Sequence, residues 1–234
     1  MSCNDGSDKW HAMETKTAFL FDLNGTMIDD MAYHVEAWYK IFNDLGANIT
    51  MEKMKEECYG KNDEVIERIV PGKFNDSEKT AMSLTKEQAY QEAFRPKLKL
   101  INGLDDFLET AYQQNIPMAI GSAAIMFNID FVLDGLQLRK YFSAIISADD
   151  VSYSKPHAET YLKCAAALNM APENCIVFED APKGVESAQN AGMRSVVLTI
   201  LHERHEFHQY TNIVAFGKDY KDKNLLGFFG DQFR

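Results

Sequence analysis

The chain lacks any apolar run long enough to cross a bilayer, and its first residues hold no apolar stretch of the kind a secretory leader needs. A soluble, cytoplasmic protein is the expectation. Cysteine is scarce: Cys3, Cys58, Cys164 and Cys175 stand far apart, without metal-ligand spacing, and read as reduced structural thiols rather than a zinc site or a disulfide framework. Positive charge is short as well. With 24 Lys and Arg against 35 Asp and Glu, the net charge of −11 argues against a general nucleic-acid or anionic-membrane binder. An anionic substrate must then be attracted by local lysines and a cation, not by the field of the whole molecule. No internal repeat or low-complexity tract is present.

What is there is enough for a packed core: 234 residues, 46% of them apolar. Residues 1–14, MSCNDGSDKWHAME, are polar and without period, so a mobile N-terminal extension is expected there, and neither Trp10 nor His11 is given a role. Thr17 to Phe21 reads as a short buried strand, and Gly25 permits a tight turn just after it. From Met31 to about Leu98 the period becomes helical. Val35, Trp38, Ile41 or Phe42 and Leu45 recur three or four apart and stop at Gly46, and further helices are predicted at Thr50–Cys58, Asn62–Ile69 and Ser77–Phe94.

Beyond Pro96 strands and helices alternate. Strands are predicted at Ile116–Gly121, Ala144–Ser147, Cys175–Phe178, Ser195–Thr199 and Ile213–Phe216, and helices at Leu104–Gln113, Ile125–Leu136, Ala158–Leu168 and Pro182–Ala191. This alternation predicts an α/β protein with a doubly wound parallel sheet. Asp22 then falls at the carboxyl end of the first strand, where such sheets bind ligands, and a carboxylate held there can attack a phosphoryl group.

Four segments, in order, carry a resemblance. Phe21-Asp22-Leu23-Asn24-Gly25-Thr26 resembles the first motif of the haloacid dehalogenase superfamily, usually Asp-x-Asp-Gly-Thr/Val. Pro117-Met118-Ala119-Ile120-Gly121-Ser122 is similar to the second, a strand ending in a phosphate-binding hydroxyl. Ser154-Lys155-Pro156 resembles the third, which supplies a lysine. Ile176-Val177-Phe178-Glu179-Asp180, followed by Ala181-Pro182-Lys183-Gly184-Val185, resembles the fourth, which supplies metal-binding acids. Taken singly, Asp22 is an ordinary strand-turn acid, Lys155 a solvated turn residue and Glu179-Asp180 an acidic helix start. Their order and spacing across nearly the whole chain favour the site reading.

The resemblance implies a Rossmann-like core from residues 15–28 and 99–234, with an all-α cap from residues 29–98 inserted after the first strand, as in the β-phosphoglucomutase-like subfamily. It implies an aspartyl-phosphate on Asp22, with Mg2+ held by Asp22, the backbone carbonyl of Asn24, Asp180 and Glu179. Ser122 and Lys155 would stabilise the transferring group, and Gly25, Thr26, Ser122, Ala123, Lys61 and Lys86 would contact substrate. The expected partner is a small phosphorylated metabolite, with no nucleic acid and no membrane, bound by a monomer or weak homodimer.

Two departures qualify this. Asn24 stands where the family has a second Asp that protonates the leaving oxygen and then deprotonates the incoming water, and an amide does neither. His34 and Lys86, both on the cap, are candidate substitutes; otherwise they read as helix-surface residues. In the cap segment Cys58-Tyr59-Gly60-Lys61-Asn62-Asp63-Glu64, Asp63 falls about where mutases carry an arginine for a second phosphate, and lysine is a poorer bidentate partner than arginine. The expectation is a Mg-dependent phosphohydrolase weakened by Asn24. A sugar phosphate mutase, a 2-haloacid dehalogenase and a catalytically impaired phosphate-ligand binding module are the alternatives.

Overall fold

The computed structural model describes residues 17–226. The expected N-terminal extension, with Cys3, Trp10 and His11, lies outside the described residues.

Six strands form one parallel sheet: β1 (Ala18–Phe21), β2 (Met118–Gly121), β3 (Ala144–Ile146), β4 (Cys175–Glu179), β5 (Arg194–Leu198) and β6 (Ile213–Gly217). Their order is β3-β2-β1-β4-β5-β6. The chain therefore winds outward from β1 to β3, then crosses back to place β4 on the other side of β1. That reversal opens a crevice beyond the carboxyl ends of β1 and β4, where doubly wound sheets bind their ligands.

β1 and β4 are buried along their whole length, as expected of a parallel sheet covered on both faces. Side chains alternate between those faces. Phe19 and Phe21 join Ile176, Phe178, Phe107 and Tyr220 in one apolar cluster, while Ala18 and Leu20 join Val177, Ala119 and Tyr161 in the other. Phe21 pairs in register with Phe178, and their rings stack at 4.6 Å. Full burial of each such side chain contributes about 1.5–3 kcal/mol. The Asp22 N–H donates to the Phe178 carbonyl at 3.0 Å, so β1 ends with Asp22 locked beside β4.

Between β1 and the rest of the sheet lie four helices, α1 (Met31–Asp44), α2 (Met51–Glu57), α3 (Asn62–Ile69) and α4 (Asp76–Phe94). Thr50 caps α2 by accepting from the Lys53 N–H at 3.1 Å, and Asn75 and Glu78 form a capping box at the start of α4. Val35, Trp38, Phe42, Met54, Val65 and Ile66 form an apolar cluster of their own. Tyr90 and Phe94, at the far end of α4, belong instead to the sheet-side cluster, which ties this helical segment to the sheet.

The later helices are α5 (Leu104–Gln113), α6 (Met126–Gly135), α7 (Glu159–Ala167), α8 (Pro182–Asn190) and the short α9 (Lys223–Leu226). Cys58, Cys164 and Cys175 are free thiols. Among the described residues no helix is long and apolar enough to cross a membrane.

Candidate active site

Four strand ends deliver the site. Asp22 follows β1, Ser122 follows β2, Lys155 lies in the loop after β3, Glu179 ends β4 and Asp180 follows it; all five are nine-tenths or more buried. The Lys155 ammonium donates to Asp22 Oδ1 at 2.6 Å, to Glu179 Oε1 at 2.6 Å and to the Tyr161 hydroxyl at 2.8 Å. Tyr161, from α7, donates in turn to Glu179 Oε1 at 2.6 Å. The other Glu179 oxygen accepts from the N–H groups of Asp180 and Ala181 at 3.1 and 3.3 Å. Asp180 Oδ1 accepts from Thr26 Oγ1 at 3.1 Å, and the Tyr220 hydroxyl supports the Thr26 carbonyl at 3.1 Å.

Asp22, Glu179 and Asp180 each offer a carboxylate oxygen within 4.8 Å of the others. One lysine faces three acids, so negative charge is in excess. Burial pushes the Asp22 carboxyl up to about 7, Lys155 pulls the other way, and Glu179 adds to the rise. Burial, then Glu179 and Asp22, push Asp180 well above the usual carboxylate range. Burial works against the Lys155 charge, but Asp22 and Glu179 outweigh it and hold the ammonium protonated beyond the ordinary lysine range. Compact, desolvated, oxygen-only and over-negative, this donor set fits a hard divalent cation.

Two glycines allow the packing. Gly25 has φ +79°, and a Cβ there would lie 2.2 Å from Asp180 Oδ2. A Cβ on Gly184, in the first turn of α8, would lie 1.8 Å from Glu179 Oε1. Ser122 is fixed by its N–H, which donates to the Ile146 carbonyl at 2.9 Å, and its hydroxyl accepts from the Ala124 N–H at 3.1 Å across half-buried Ala123.

A second polar group adjoins the first. Asn24 donates through Nδ2 to Asp30 Oδ2 at 2.7 Å, and His34 Nε2 lies 3.2 Å from the same oxygen. Lys86 Nζ lies 2.6 Å from His34 Nδ1 and 3.0 Å from Glu87 Oε1. An ammonium only donates, so Nδ1 accepts and the ring proton sits on Nε2, directed at Asp30. The 3.1 Å approach of Asn24 Nδ2 to His34 Nε2 is then two donors converging on one carboxylate. Glu87 also accepts from Asn62 at 2.7 Å and from Asn128 of α6; burial pushes its carboxyl up, but the Lys86 ammonium and these hydrogen bonds outweigh that and hold it below the usual glutamate range.

His34 and Lys86 are thus brought together beside Asn24. Lys61 is placed differently: its ammonium donates to the Val151 carbonyl, its neighbour Glu64 accepts from Ser154 Oγ at 2.7 and 2.8 Å, and Asp63 is exposed. Reading the sequence missed Tyr161, Tyr220, Asp30, Glu87 and Asn128. Tyr161 and Tyr220 carry no pattern that separates them from core aromatics. The buried face of α4 carries Ser83, Lys86, Glu87, Tyr90, Gln91 and Phe94, so helical spacing of polar residues was the available signal.

A parallel sheet with an acid, a hydroxyl, a lysine and an acid pair at successive strand ends defines a phosphoryl-transfer class of enzyme. The family model for haloacid dehalogenase-like hydrolases matches residues 19–198, and the chain belongs to that family. It is 27% identical over 188 residues to a fructose-1-phosphate phosphatase of Escherichia coli, covering 80% of this chain and 99% of that one. It is 28% identical over 200 residues to hexitol phosphatase B of the same organism, covering 77% and 82%. A β-phosphoglucomutase of Clostridium difficile superposes with TM-score 0.76 at 28% identity, covering 85% and 90%. The protein is a haloacid dehalogenase-like phosphatase or phosphotransferase.

Proposed function

We propose that this enzyme is a Mg-dependent phosphohydrolase of small phosphorylated metabolites, namely monophosphates of sugars or sugar alcohols, acting through an aspartyl-phosphate on Asp22. The contact of Lys155 with Asp22 inside an over-negative carboxylate cluster carries the reading. Asp22, Asp180, Glu179 and the Asn24 carbonyl would hold the metal, which when bound supplies charge neutralisation and alignment of the phosphoryl group.

The chain's own residues do the rest. The Asp22 carboxylate forms a bond to phosphorus as the bond to the leaving oxygen breaks, and water later cleaves the acyl phosphate, returning the carboxylate and releasing phosphate. Lys155, held by Glu179 and Tyr161, offsets charge on Asp22 and on the transferring group, and Ser122, with Gly25, Thr26 and Ala123 around it, binds the phosphoryl oxygens. Neither the leaving oxygen nor the attacking water finds a proton-transfer group at Asn24. That lack costs a factor of about 10²–10⁴, which His34, next to Asn24 and backed by Lys86, would recover in part.

We further propose that residues 29–98 act as a cap whose closure excludes water, with Glu64 gripping Ser154 and Glu87 gripping Asn128. Asp63 is exposed and Lys86 is paired with Glu87, so neither position offers a free cation to a second phosphate, which favours hydrolysis over mutase chemistry. The test is Mg-dependent phosphate release from a panel of sugar, hexitol and sugar bisphosphate substrates, with Asp22→Ala as control. Release from monophosphates that is lost in Asp22→Ala supports the reading. Chloride release from a 2-haloacid without metal, or ligand-induced stabilisation with no turnover by any substrate, overturns it.

A further inference from the structure

Position 24 lacks a carboxylate, and an unexplained carboxylate lies beside it. Asp30 is fully buried immediately before α1, in the N-cap position, yet its side chain does not cap the helix. Oδ2 takes three donors: Asn24 Nδ2 at 2.7 Å, Tyr90 Oη at 2.5 Å and His34 Nε2 at 3.2 Å. Oδ1 is buried with no hydrogen-bond partner. A buried charged group left half satisfied is expensive, and it persists where its neighbours demand a charge. Those neighbours are the Asn24 amide, whose orientation Asp30 dictates because only the NH2 end can face a carboxylate, and the His34 ring, which stacks on Tyr90 at 3.8 Å.

We propose that Asp30 is a positioning residue for Asn24 and His34, and that residues 24 and 30 form one reciprocal amide–carboxylate pair in which each side chain sets what the other must be. A carboxylate at half-buried position 24 would face the fully buried Asp30 carboxylate across the present 2.7 Å contact, with Tyr90 and the Nε2 proton of His34 as the remaining donors. The amide at 24 is therefore matched to its surroundings, and replacing it alone sets a second acid against the buried one at 30. Exchanging both restores one acid and one amide in the same contact. The inference rests on the phosphohydrolase reading only for its activity arm.

Thermal unfolding in EDTA, which removes metal binding from the comparison, tests it on Asn24→Asp, Asn24→Ala, Asp30→Asn and the double exchange Asn24→Asp/Asp30→Asn. Asn24→Asp is expected to lower Tm by ~5 °C or more and to lie below Asn24→Ala, since the added charge does the harm rather than the lost amide. Asp30→Asn is expected to lower Tm in the parent and to raise it in the Asn24→Asp background, a sign reversal that a merely structural acid would not give. An unfolded Asn24→Asp rescued by the second exchange counts the same way. Equal shifts from Asp30→Asn in both backgrounds, Asn24→Asp as stable as Asn24→Ala, or an exchanged protein no better folded than Asn24→Asp overturns the pairing.

With Mg2+ restored, kcat of the double exchange on the best monophosphate is expected at least ~10-fold above that of Asn24→Asp and of the parent. A stable double exchange with no gain in kcat overturns the positioning role while leaving the pairing intact. No turnover by any of the proteins, with the Tm pattern preserved, is a failure of the phosphohydrolase reading alone.

Discussion

At Asp22, the proposed function and stability pull against each other. Its carboxyl is raised from 3.8 to about 7, so between those values the folded chain keeps a proton that the unfolded chain releases. Stability from this group is accordingly lost as pH rises through that window, and the rise at Asp180 acts in the same sense. Urea unfolding of the metal-free protein at pH 5 and pH 8 should show Asp22→Asn gaining stability over the parent, with the larger gain at pH 8. An equal gain at both values would mean that Asp22 is not the strained acid. Mg2+ should reverse the balance for the parent, raising its Tm more at pH 8 than at pH 6, because at pH 6 the metal must displace a proton. Tyr161 acts on the same cluster from behind: its hydroxyl holds both Lys155 and Glu179. Tyr161→Phe should cost about 1 kcal/mol of stability and lower kcat several-fold with little change in KM. A changed KM with kcat intact would place Tyr161 at the substrate and not behind Lys155.

Among the elements, the meeting of β4 and α8 decides whether the acid pair can exist. Gly184 lies in a helical turn without a left-handed φ, so alanine is conformationally welcome there and only the space beside Glu179 forbids it. Gly184→Ala should therefore dislodge Glu179, break its contact with Lys155 and lower kcat by tenfold or more, while far-ultraviolet circular dichroism stays that of the parent. Unchanged kcat would show that Glu179 has room the packing denies it. The elements themselves were largely legible: Leu104–Gln113 and Asn62–Ile69 occur as predicted, and β1, β4, β5 and α8 lie within a residue or two of their expected ends. Period and turn chemistry carry that information locally. The strand order does not follow from period, since any of several pairings would bury the same apolar runs. Nor does the buried role of Asp30 or Glu87 follow from it. An acid beside a helix start and a Lys-Glu pair within a helix resemble solvated residues until tertiary contacts bury them, and α4 hides its polar stripe because patterning by hydrophobicity looks for the opposite.

For the molecule as a whole, the question is how an anion reaches a protein of net charge −11. The site does not offset that field. Lys155 is outnumbered by Asp22, Glu179 and Asp180, and Lys86 is paired with Glu87 at 3.0 Å. Among the described residues, the seam between the helical segment and the sheet carries Lys61, which donates to the uncharged Val151 carbonyl, and Lys183, whose ammonium lies 4.2 Å from the Tyr59 ring centroid. Two such charges act over about one Debye length, roughly 8–10 Å near physiological salt, whereas the acidic surface acts over a longer range when salt is low. Repulsion should therefore dominate encounter in dilute buffer. At saturating Mg2+, raising NaCl from about 10 to about 150 mM should increase kcat/KM for a monophosphate about twofold to fivefold and leave kcat unchanged, since the bound complex is shielded by the protein itself. A fall in kcat/KM over that range would mean that Lys61 and Lys183 steer the substrate after all. Removing them one at a time should then abolish the salt dependence, whereas if repulsion governs, Lys61→Met and Lys183→Met each steepen the rise.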